Sequence, residues 1–567
     1  MNSGWSIKQY LCLPAPSQED ARPDTERILE KLDGLGMDTG HIRFSPRVLR
    51  GLYPLCREAD WKLTATLGFD GAGWEITRLE AGDTSGCHYG LCVDLGSTTI
   101  AMELVDMETG KTAAGVSGFN PQIAFGTDIL TRIFYAKDRP ERLEELRLAV
   151  VRGISELMEK LKERTGVDVS SCAAMVIAGN TTMIHFLLGM DAFCVFHTPY
   201  AVHTLRPDVY RARDLEIPME GFVCCCPGKA NYLGGDIISG LIAVEMAESE
   251  EVCVFLDIGT NGELVVGNRE FLVAGAGAAG PALEGGVVRT GMRAEKGAVD
   301  RVRIRDGVIW THILGEEDRK MHSSMEYRQG NEPGKTPTAG VQMYDQRAGN
   351  TGRDRMEKTG SARGICGSGI VDLLAQLFLA GWMDIRGKLR PESSPLIIFG
   401  DDGETAVEYA EGLYFYQSDI DEFLKTKAAA STMVEYMLGL IGLSVKDISR
   451  FYIAGAFGTH IDKESGVTIG LYPDIDREKI VSPGNTSLQG ARRILLDRKQ
   501  REKALELLER MDYVQFGAVD DFLHLMTAAT AVPHTDLERY PSVMRKLEAA
   551  GNPPETSRKK DTWREDR

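Results

Sequence analysis

No apolar run in the 567 residues approaches the length of a membrane span, and no two of the 11 cysteines stand as a C-x2-C pair. The first absence removes a transmembrane protein from consideration. The second removes the ligand spacing of a zinc ribbon or a ferredoxin cluster. A basic surplus is also missing. The 65 Lys and Arg residues face 83 Asp and Glu, a formal charge of −18, which argues against nucleic acid or an anionic membrane as a partner. The opening MNSGWSIKQYLCLPAP has no apolar signal core, so cytoplasmic residence is expected.

The cysteines that are present sit mostly inside apolar strands, as Cys92, Cys172 and Cys253 do, the pattern of reduced, buried thiols. Cys87 and Cys92 begin like a plant-type iron–sulfur motif, but the pair that should follow is absent. Three consecutive cysteines, Cys224, Cys225 and Cys226, point alternately to opposite faces of a strand and so are expected to pack rather than share a metal. His185 lies on an apolar helix face and is expected to be packed. His88, His312 and His460 have no partners at ligand spacing and are assigned no chemistry.

The chain length predicts two to four domains. Residues 1–88 read as a small α+β unit, with a helix in SQEDARPDTERILEKLDGL capped near Asp24 or Thr25 and stopped at Gly34. The alternating stretches WKLTATLGFDG and GWEITRLEAGD supply strands. From Leu91, strands at 91–95, 98–106 and 111–117 precede a helix whose Leu143, Leu146, Val150, Ile154, Leu157 and Leu161 share one face, with Gly166 as its stop. The strand AAMVIAG and a helix capped at Asn180 or Thr181 follow. The same order, three strands, helix, strand, recurs in EVCVFLDIGTNG, ELVVGN, REFLVAGAG, two helical stretches and RFYIAGAFG. An α/β unit is therefore predicted to be duplicated. The expected boundaries are a first lobe at 89–250, a second at 251–530 with a mobile loop at 315–364, and a C-terminal extension at 531–567, disordered beyond about Leu547.

Two turns stand at equivalent places in the repeat, 163 residues apart (257 minus 94). Asp94-Leu95-Gly96-Ser97-Thr98-Thr99 and Asp257-Ile258-Gly259-Thr260-Asn261-Gly262 each end an apolar strand in a carboxylate, then glycine, then hydroxyl or amide side chains. Glycine admits a ligand close to the backbone, and successive N–H groups in a tight turn bind anions. Two carboxylates cannot bind phosphate directly, but Asp94 and Asp257 suit a magnesium ion held through its waters. A single Asp-x-Gly turn is commonplace; two in register point to a nucleotide site. Gly455 to Gly458 (Gly455-Ala456-Phe457-Gly458), after a strand, suits an adenosine, and Gly367-Ser368-Gly369 opens a helix where anions bind. The glycine-rich loop 274–286, with Gly280, exposes backbone in the same manner.

These segments resemble the acetate kinase, sugar kinase, heat-shock 70 and actin (ASKHA) superfamily. The set VDLGSTTIAMELVDMETG, FNPQIAFGTDILTRI, AGNTTMIHFLLG, LGGDIISGL, LDIGTNGELVVGN, GAAGPALEGGVVRTGMRAEKGAVD, ICGSGIVDLL and FYIAGAFGTHIDKESGVTIGLYPD resembles, in that order, the reductive activators of corrinoid proteins. Residues 1–88 look like the linker domain of those activators. The resemblance implies a duplicated actin-like, ribonuclease H-like α/β fold. It implies use of ATP and Mg2+ to return a Co(II) corrinoid on a methyl-transfer protein to Co(I). Asp94, Gly96, Ser97, Thr98 and Thr99 would form the first phosphate segment, and Asp257, Gly259, Thr260, Asn261, Gly262 and Glu263 the second. Gly455 to Gly458 would hold the adenosine. Asp94, Asp257 and Glu263 are the expected catalytic carboxylates.

Members of that family commonly carry an iron–sulfur domain ahead of the linker. This sequence starts at the linker and has no cluster motif, so no iron–sulfur cluster is expected in it; either a separate iron–sulfur or flavin protein supplies the electron, or this member keeps ATP-driven docking and has lost electron transfer. The protein's own part is then conformational. Docking that favours the reduced cobalt state by roughly 3 kcal/mol raises a one-electron potential by something over 100 mV. Related proteins are often dimers. The alternatives are a small-molecule kinase, for which Asp236 or Asn180 would be the base if they did not order a loop or cap a helix, and a nucleotide-gated binding module.

Overall fold

The computed structural model describes residues 3–259, 262–277, 288–316, 321–323, 362–400, 403–458, 460–516, 519 and 522–552. Two compact units divide the chain: Met1–Asp257 with Glu263–Ala276 and Pro483–Val514, and Ile258–Gly262 with Gly277–Ser482 and Gln515–Arg567. Most of the expected loop 315–364, and everything after residue 552, lies outside the described residues.

The first unit opens with strands β1 (Ser6–Cys12), β2 (Ile42–Phe44), β3 (Lys62–Phe69) and β4 (Trp74–Ala81), paired in the order β1-β3-β4-β2. Helices Asp24–Asp33 and Pro46–Glu58 bury Ile28, Leu32, Val48, Leu52 and Cys56 in the same core as Leu63, Ala65 and Leu67. The first helix is not capped by Asp24 or Thr25. Pro23 takes the extended capping position without a side-chain bond, since its ring fixes φ. Asp24 instead accepts hydrogen bonds from Arg57 Nη1 at 2.5 Å and Trp61 Nε1 at 3.3 Å.

A six-stranded sheet follows: β5 (Tyr89–Leu95), β6 (Thr99–Asp106), β7 (Thr112–Phe119), β8 (Ala174–Gly179), β9 (Val209–Arg211) and β10 (Phe222–Cys225), in the order β7-β6-β5-β8-β10-β9. β5, β8 and β10 are parallel; β6, β7 and β9 join antiparallel. Every residue of β8 is buried, as a central strand covered on both faces requires, and β7 at the edge alternates half-buried and exposed. The predicted long helix forms over Pro140–Thr165 and stops at Gly166 with φ 73°, a left-handed position that suits glycine. β11 (Cys253–Ile258), β12 (Gly262–Gly267) and β13 (Leu272–Gly277) are successive neighbours. They repeat the β5–β6–β7 meander.

Helix Thr486–Leu496 has no counterpart in the sequence-based reading. It crosses helix Gly235–Ala243 so closely that a Cβ on Gly490 would lie 1.8 Å from Ser239 O and 2.8 Å from Ser239 Cα. A Cβ on Gly240 would meet Phe255 Cζ at 2.7 Å. Gly490 brings two backbones together and Gly240 makes room for the Phe255 ring, which a helical periodicity cannot reveal.

The second unit pairs Met321–Ser323, Val308–Ile313, Ala298–Arg305 and Gly364–Ile365 in one sheet and Ile397–Phe399, Thr405–Ala410 and Leu413–Tyr416 in another. Helix Gln417–Leu440 carries Lys427, fully buried, whose Nζ donates to the carbonyl oxygens of Ala529, Ala531 and Pro533 at 2.6, 2.7 and 2.6 Å. All three protons of the ammonium are thus used. The chain does not lose order at Leu547: helix Pro541–Ala549 forms, and Asn552 Nδ2 docks on Leu379 O at 3.0 Å.

Replacing Gly490 by alanine forces the crossed helices apart and is expected to cost about 2 kcal/mol, in the range of overpacked cores. Denaturant unfolding at unchanged slope measures it; a variant as stable as the parent would show that the crossing tolerates a methyl group.

Candidate functional site

Because β5, β8 and β10 run parallel, their carboxyl ends open on one edge of the sheet, the place where open α/β sheets bind ligands. Small residues let the segments leaving that edge nest together. A Cβ on Gly179 would lie 2.9 Å from Leu95 O, one on Gly234 2.5 Å from Asn180 Cα, and one on Gly235 2.4 Å from Cys226 O.

Asp94 sits at this edge, half-buried near the end of β5. Asn485 Nδ2 donates to its Oδ2 at 2.8 Å and Ser487 Oγ to its Oδ1 at 2.9 Å. Asn485 also accepts the Leu488 N–H at 2.8 Å, so one side chain caps helix Thr486–Leu496 and orients the carboxylate. Burial pushes the Asp94 carboxyl above its ordinary pKa, and the two hydrogen bonds partly offset it. Asp236, in the first turn of helix Gly235–Ala243, is raised further, to about 7, chiefly by burial and additionally by the charge of Asp94. Its Oδ1 accepts the Ile237 N–H at 2.9 Å. Among the described residues neither carboxylate has a cationic partner. Two crowded, desolvated carboxylates of this kind gain from a proton or a divalent cation. No group of three or more His, Cys, Asp or Glu among the described residues is placed to hold a metal directly.

The turn after β5 is closed by Gly96 N donating to Thr99 O at 3.1 Å, and a Cβ at Gly96 would sit 2.5 Å from that oxygen. Two side chains hold its carbonyls from behind: Asn120 Nδ2 donates to Gly96 O at 2.9 Å and Arg132 Nη1 to Ser97 O at 2.7 Å. Ser97 and Thr98 are half-buried and Thr99 is exposed.

The second turn is placed in part. Asp257 and Gly259 are half-buried at and just beyond the end of β11, and Gly262 and Glu263 are buried at the start of β12. Thr260, Asn261 and Gly280 lie outside the described residues. The structure thus places Asp94 and Asp257 alike, each before a turn that begins a meander. Gly455 adopts φ +82° where strand Arg450–Ala454 passes into the short helix Gly455–Gly458, a conformation that favours glycine. Gly458 is packed so that a Cβ would meet Ile453 Cγ2 at 2.4 Å. Of Ala456 and Phe457 only the helical backbone is described. Gly367, Ser368 and Gly369 are buried at the start of helix Gly367–Leu379, with the Gly369 Cβ position 2.3 Å from Val299 O.

Asn485, Ser487, Asn120 and Arg132 were not among the expected site residues, and Asp236 was expected only as the base of the kinase alternative. One signal for Asn485 was present: Gly179-Asn180-Thr181-Thr182 recurs as Gly484-Asn485-Thr486-Ser487, and in both the asparagine side chain caps the following helix. Asn180 is therefore a cap. Cys224 and Cys226 face one core and Cys225 another, and burial holds all three thiols well above their usual pKa. His185 is packed, its Nδ1 2.7 Å from Thr181 O. His88 and His312 do have carboxylate neighbours, Glu108 at 2.9 Å and Asp300 at 2.5 Å, which strand and turn geometry supplies across the sequence.

A carboxyl whose folded pKa is about 7 and whose unfolded value is 3.8 takes up a proton on folding between those values. Stability of the ligand-free protein is therefore expected to fall as pH rises from about 4 to about 7, and Asp236→Asn to flatten that slope and raise the thermal midpoint at pH 8. Melting curves across this range test it; an Asp236→Asn protein with the parent's slope would contradict the placement.

Three family models match the chain: the RACo linker region over residues 6–86, the RACo middle region over 89–249, and the C-terminal domain of RACo, the ASKHA domain, over 251–544. A solved structure described as a reductive activator for corrinoid, iron–sulfur protein is 33% identical, with 96% of this chain and 81% of that chain covered and a TM-score of 0.79. The corrinoid activation enzyme RamQ of Eubacterium limosum is 28% identical over 429 residues, which are 73% of this chain and 65% of that protein. The chain thus spans about two thirds of that relative's length. The [Co(II) methylated amine-specific corrinoid protein] reductase of Methanosarcina barkeri is 22% identical over 485 residues, 82% of this chain and 81% of that one. With linker, middle and ASKHA regions matched in order, the chain belongs to the RACo family.

Proposed function

We propose that the protein couples ATP hydrolysis to the reductive activation of a corrinoid methyl-transfer protein. The relatives' descriptions as a corrinoid activation enzyme, a Co(II) corrinoid protein reductase and a reductive activator support this reading. The observation that carries the nucleotide part is the Gly96 turn, with Asp94 beside it and Asp236 near enough to feel the charge of Asp94. Residues 1–88 then serve as the linker, 89–250 and 251–530 as the two lobes, and 531–567 as an extension of the second.

The residues fit a magnesium–triphosphate by the chemistry of the donor set. The crowded, desolvated carboxylates Asp94 and Asp236 favour added positive charge. Asp94, and Asp257 from the matching turn, would hold the ion through its waters, and bound magnesium supplies neutralisation of the phosphate charge that develops on cleavage. Ser97, Thr98 and Thr99 offer N–H and hydroxyl donors to phosphate oxygens, with Gly259, Thr260, Asn261, Gly262 and Glu263 as the second segment and Gly455 to Gly458 toward the adenosine. Gly280 belongs with these as a backbone contact. Gly367, Ser368 and Gly369, at the start of helix Gly367–Leu379, would offer backbone N–H groups to the nucleotide. Asp236, poised near neutrality, accepts the proton of an attacking water as ATP and water become ADP and phosphate.

In the redox step one electron passes from a separate iron–sulfur or flavin donor to the partner's cobalt, taking Co(II) to Co(I). The protein's contribution is binding energy. Preference for the reduced state by about 3 kcal/mol raises the potential by roughly 130 mV. Hydrolysis then releases the docked state.

A Co(II) corrinoid protein is expected to stimulate ATP hydrolysis, and Asp94→Asn and Asp257→Asn each to lower kcat about 100-fold, some 2.7 kcal/mol of barrier. Asp236→Asn is expected to lower kcat with little change in KM. A hydrolysis rate indifferent to every corrinoid protein of the same genome would defeat the coupling; phosphorylated sugars or acids as products would move the protein to the kinases.

A further inference from the structure

Helix Ile129–Ala136 contributes a fully buried arginine to the back of the Gly96 turn. Arg132 Nε donates to Gly126 O at 2.8 Å, and Nη1 to Ser97 O at 2.7 Å and Gln122 Oε1 at 3.3 Å. Its Nη2 is buried with no hydrogen-bond partner among the described residues. No ion pair is made to it among them either. Asp128, whose charge favours the protonated guanidinium, is occupied as the helix cap by the Thr131 N–H and hydroxyl. Burial lowers the guanidinium only to about 10, so the charge persists at neutral pH.

A peptide group is planar and trans, so its N–H points opposite to its C=O. Asn120 fixes the Gly96 carbonyl and Arg132 the Ser97 carbonyl, and this turns the Ser97 and Thr98 N–H groups to the other side of the turn. Neither N–H has a partner among the described residues, while both residues keep partial exposure. Two unpartnered amides on the side of the turn away from a buried guanidinium, itself without an ion pair among the described residues, suit an anion.

We infer that Arg132, with Asn120, is a positioning residue of the phosphate site: it aims the Ser97 and Thr98 amides at the terminal phosphates of the nucleotide and lends them its uncompensated charge. The inference rests on the reading of the Asp94–Thr99 segment as a phosphate segment and adds a distant segment of sequence, Asn120 to Arg132, to its machinery. Replacement at Arg132 should thus discriminate by phosphate number. A residue that merely held the lobe together would not.

Calorimetry of the full chain with magnesium and either ATP or AMP tests it. Arg132→Met, similar in volume but uncharged, is expected to lose at least tenfold in ATP affinity while AMP binding stays within twofold; Arg132→Lys, which keeps the charge without the planar fork, is expected to fall between. Asn120→Asp retains the cap on Gln122 N but loses the donor to Gly96 O, and is expected to show the same ATP-selective loss. This variant decides the matter if Arg132→Met does not fold. ATP affinity within twofold of the parent, or equal losses for ATP and AMP, overturns the inference. Failure of the parent protein to bind ATP would instead strike the nucleotide reading itself.

Discussion

Asp94 is held by side chains more than 390 positions further along the chain, Asn485 and Ser487. That attachment is possible only because helix Thr486–Leu496 lies against helix Gly235–Ala243 with no side chain at Gly490 to keep them apart. The same crossing fixes the helix that bears Asp236. One steric constraint, backbone on backbone at a glycine, therefore sets both carboxylates of the site. Their raised pKa values follow from being brought together in a partly dehydrated corner rather than from any property of the residues alone.

The site is built in two layers with opposite electrostatics. Asp94 precedes the Gly96 turn with Asp236 near enough to feel its charge, and a buried guanidinium holds the turn through the Ser97 carbonyl. Pinned carbonyls convert a flexible glycine turn into a fixed pair of donors, which lowers the ordering cost of gripping a phosphate. Such an arrangement is what the proposed magnesium–nucleotide would need, donors for its phosphates and carboxylates for its cation.

Much of the fold was legible in the sequence because it is local. The helix over Pro140–Thr165 and its stop at Gly166 follow from spacing and from glycine's tolerance of positive φ. The meander β5–β6–β7 and its repeat follow from alternation and turn residues. Asp94 and its glycine turn were visible because the motif occurs twice. The legibility failed where an element's role depends on what it meets. Thr486–Leu496 is a short amphipathic helix of ordinary composition, Arg132 reads as one charged residue on a surface helix, and Asp236 as one more helix-capping acid.

By itself, then, the sequence determined the segment order, the duplicated unit, the paired acidic turns and the family to which they belong, since each is written in contiguous residues whose backbone preferences are local. Only the tertiary structure decided which side chains surround Asp94, which carbonyls of the Gly96 turn are held from behind, and that Arg132 is buried with no ion pair among the described residues. Those are consequences of hydrogen bonds and desolvation between segments far apart in the chain, and no local pattern encodes them.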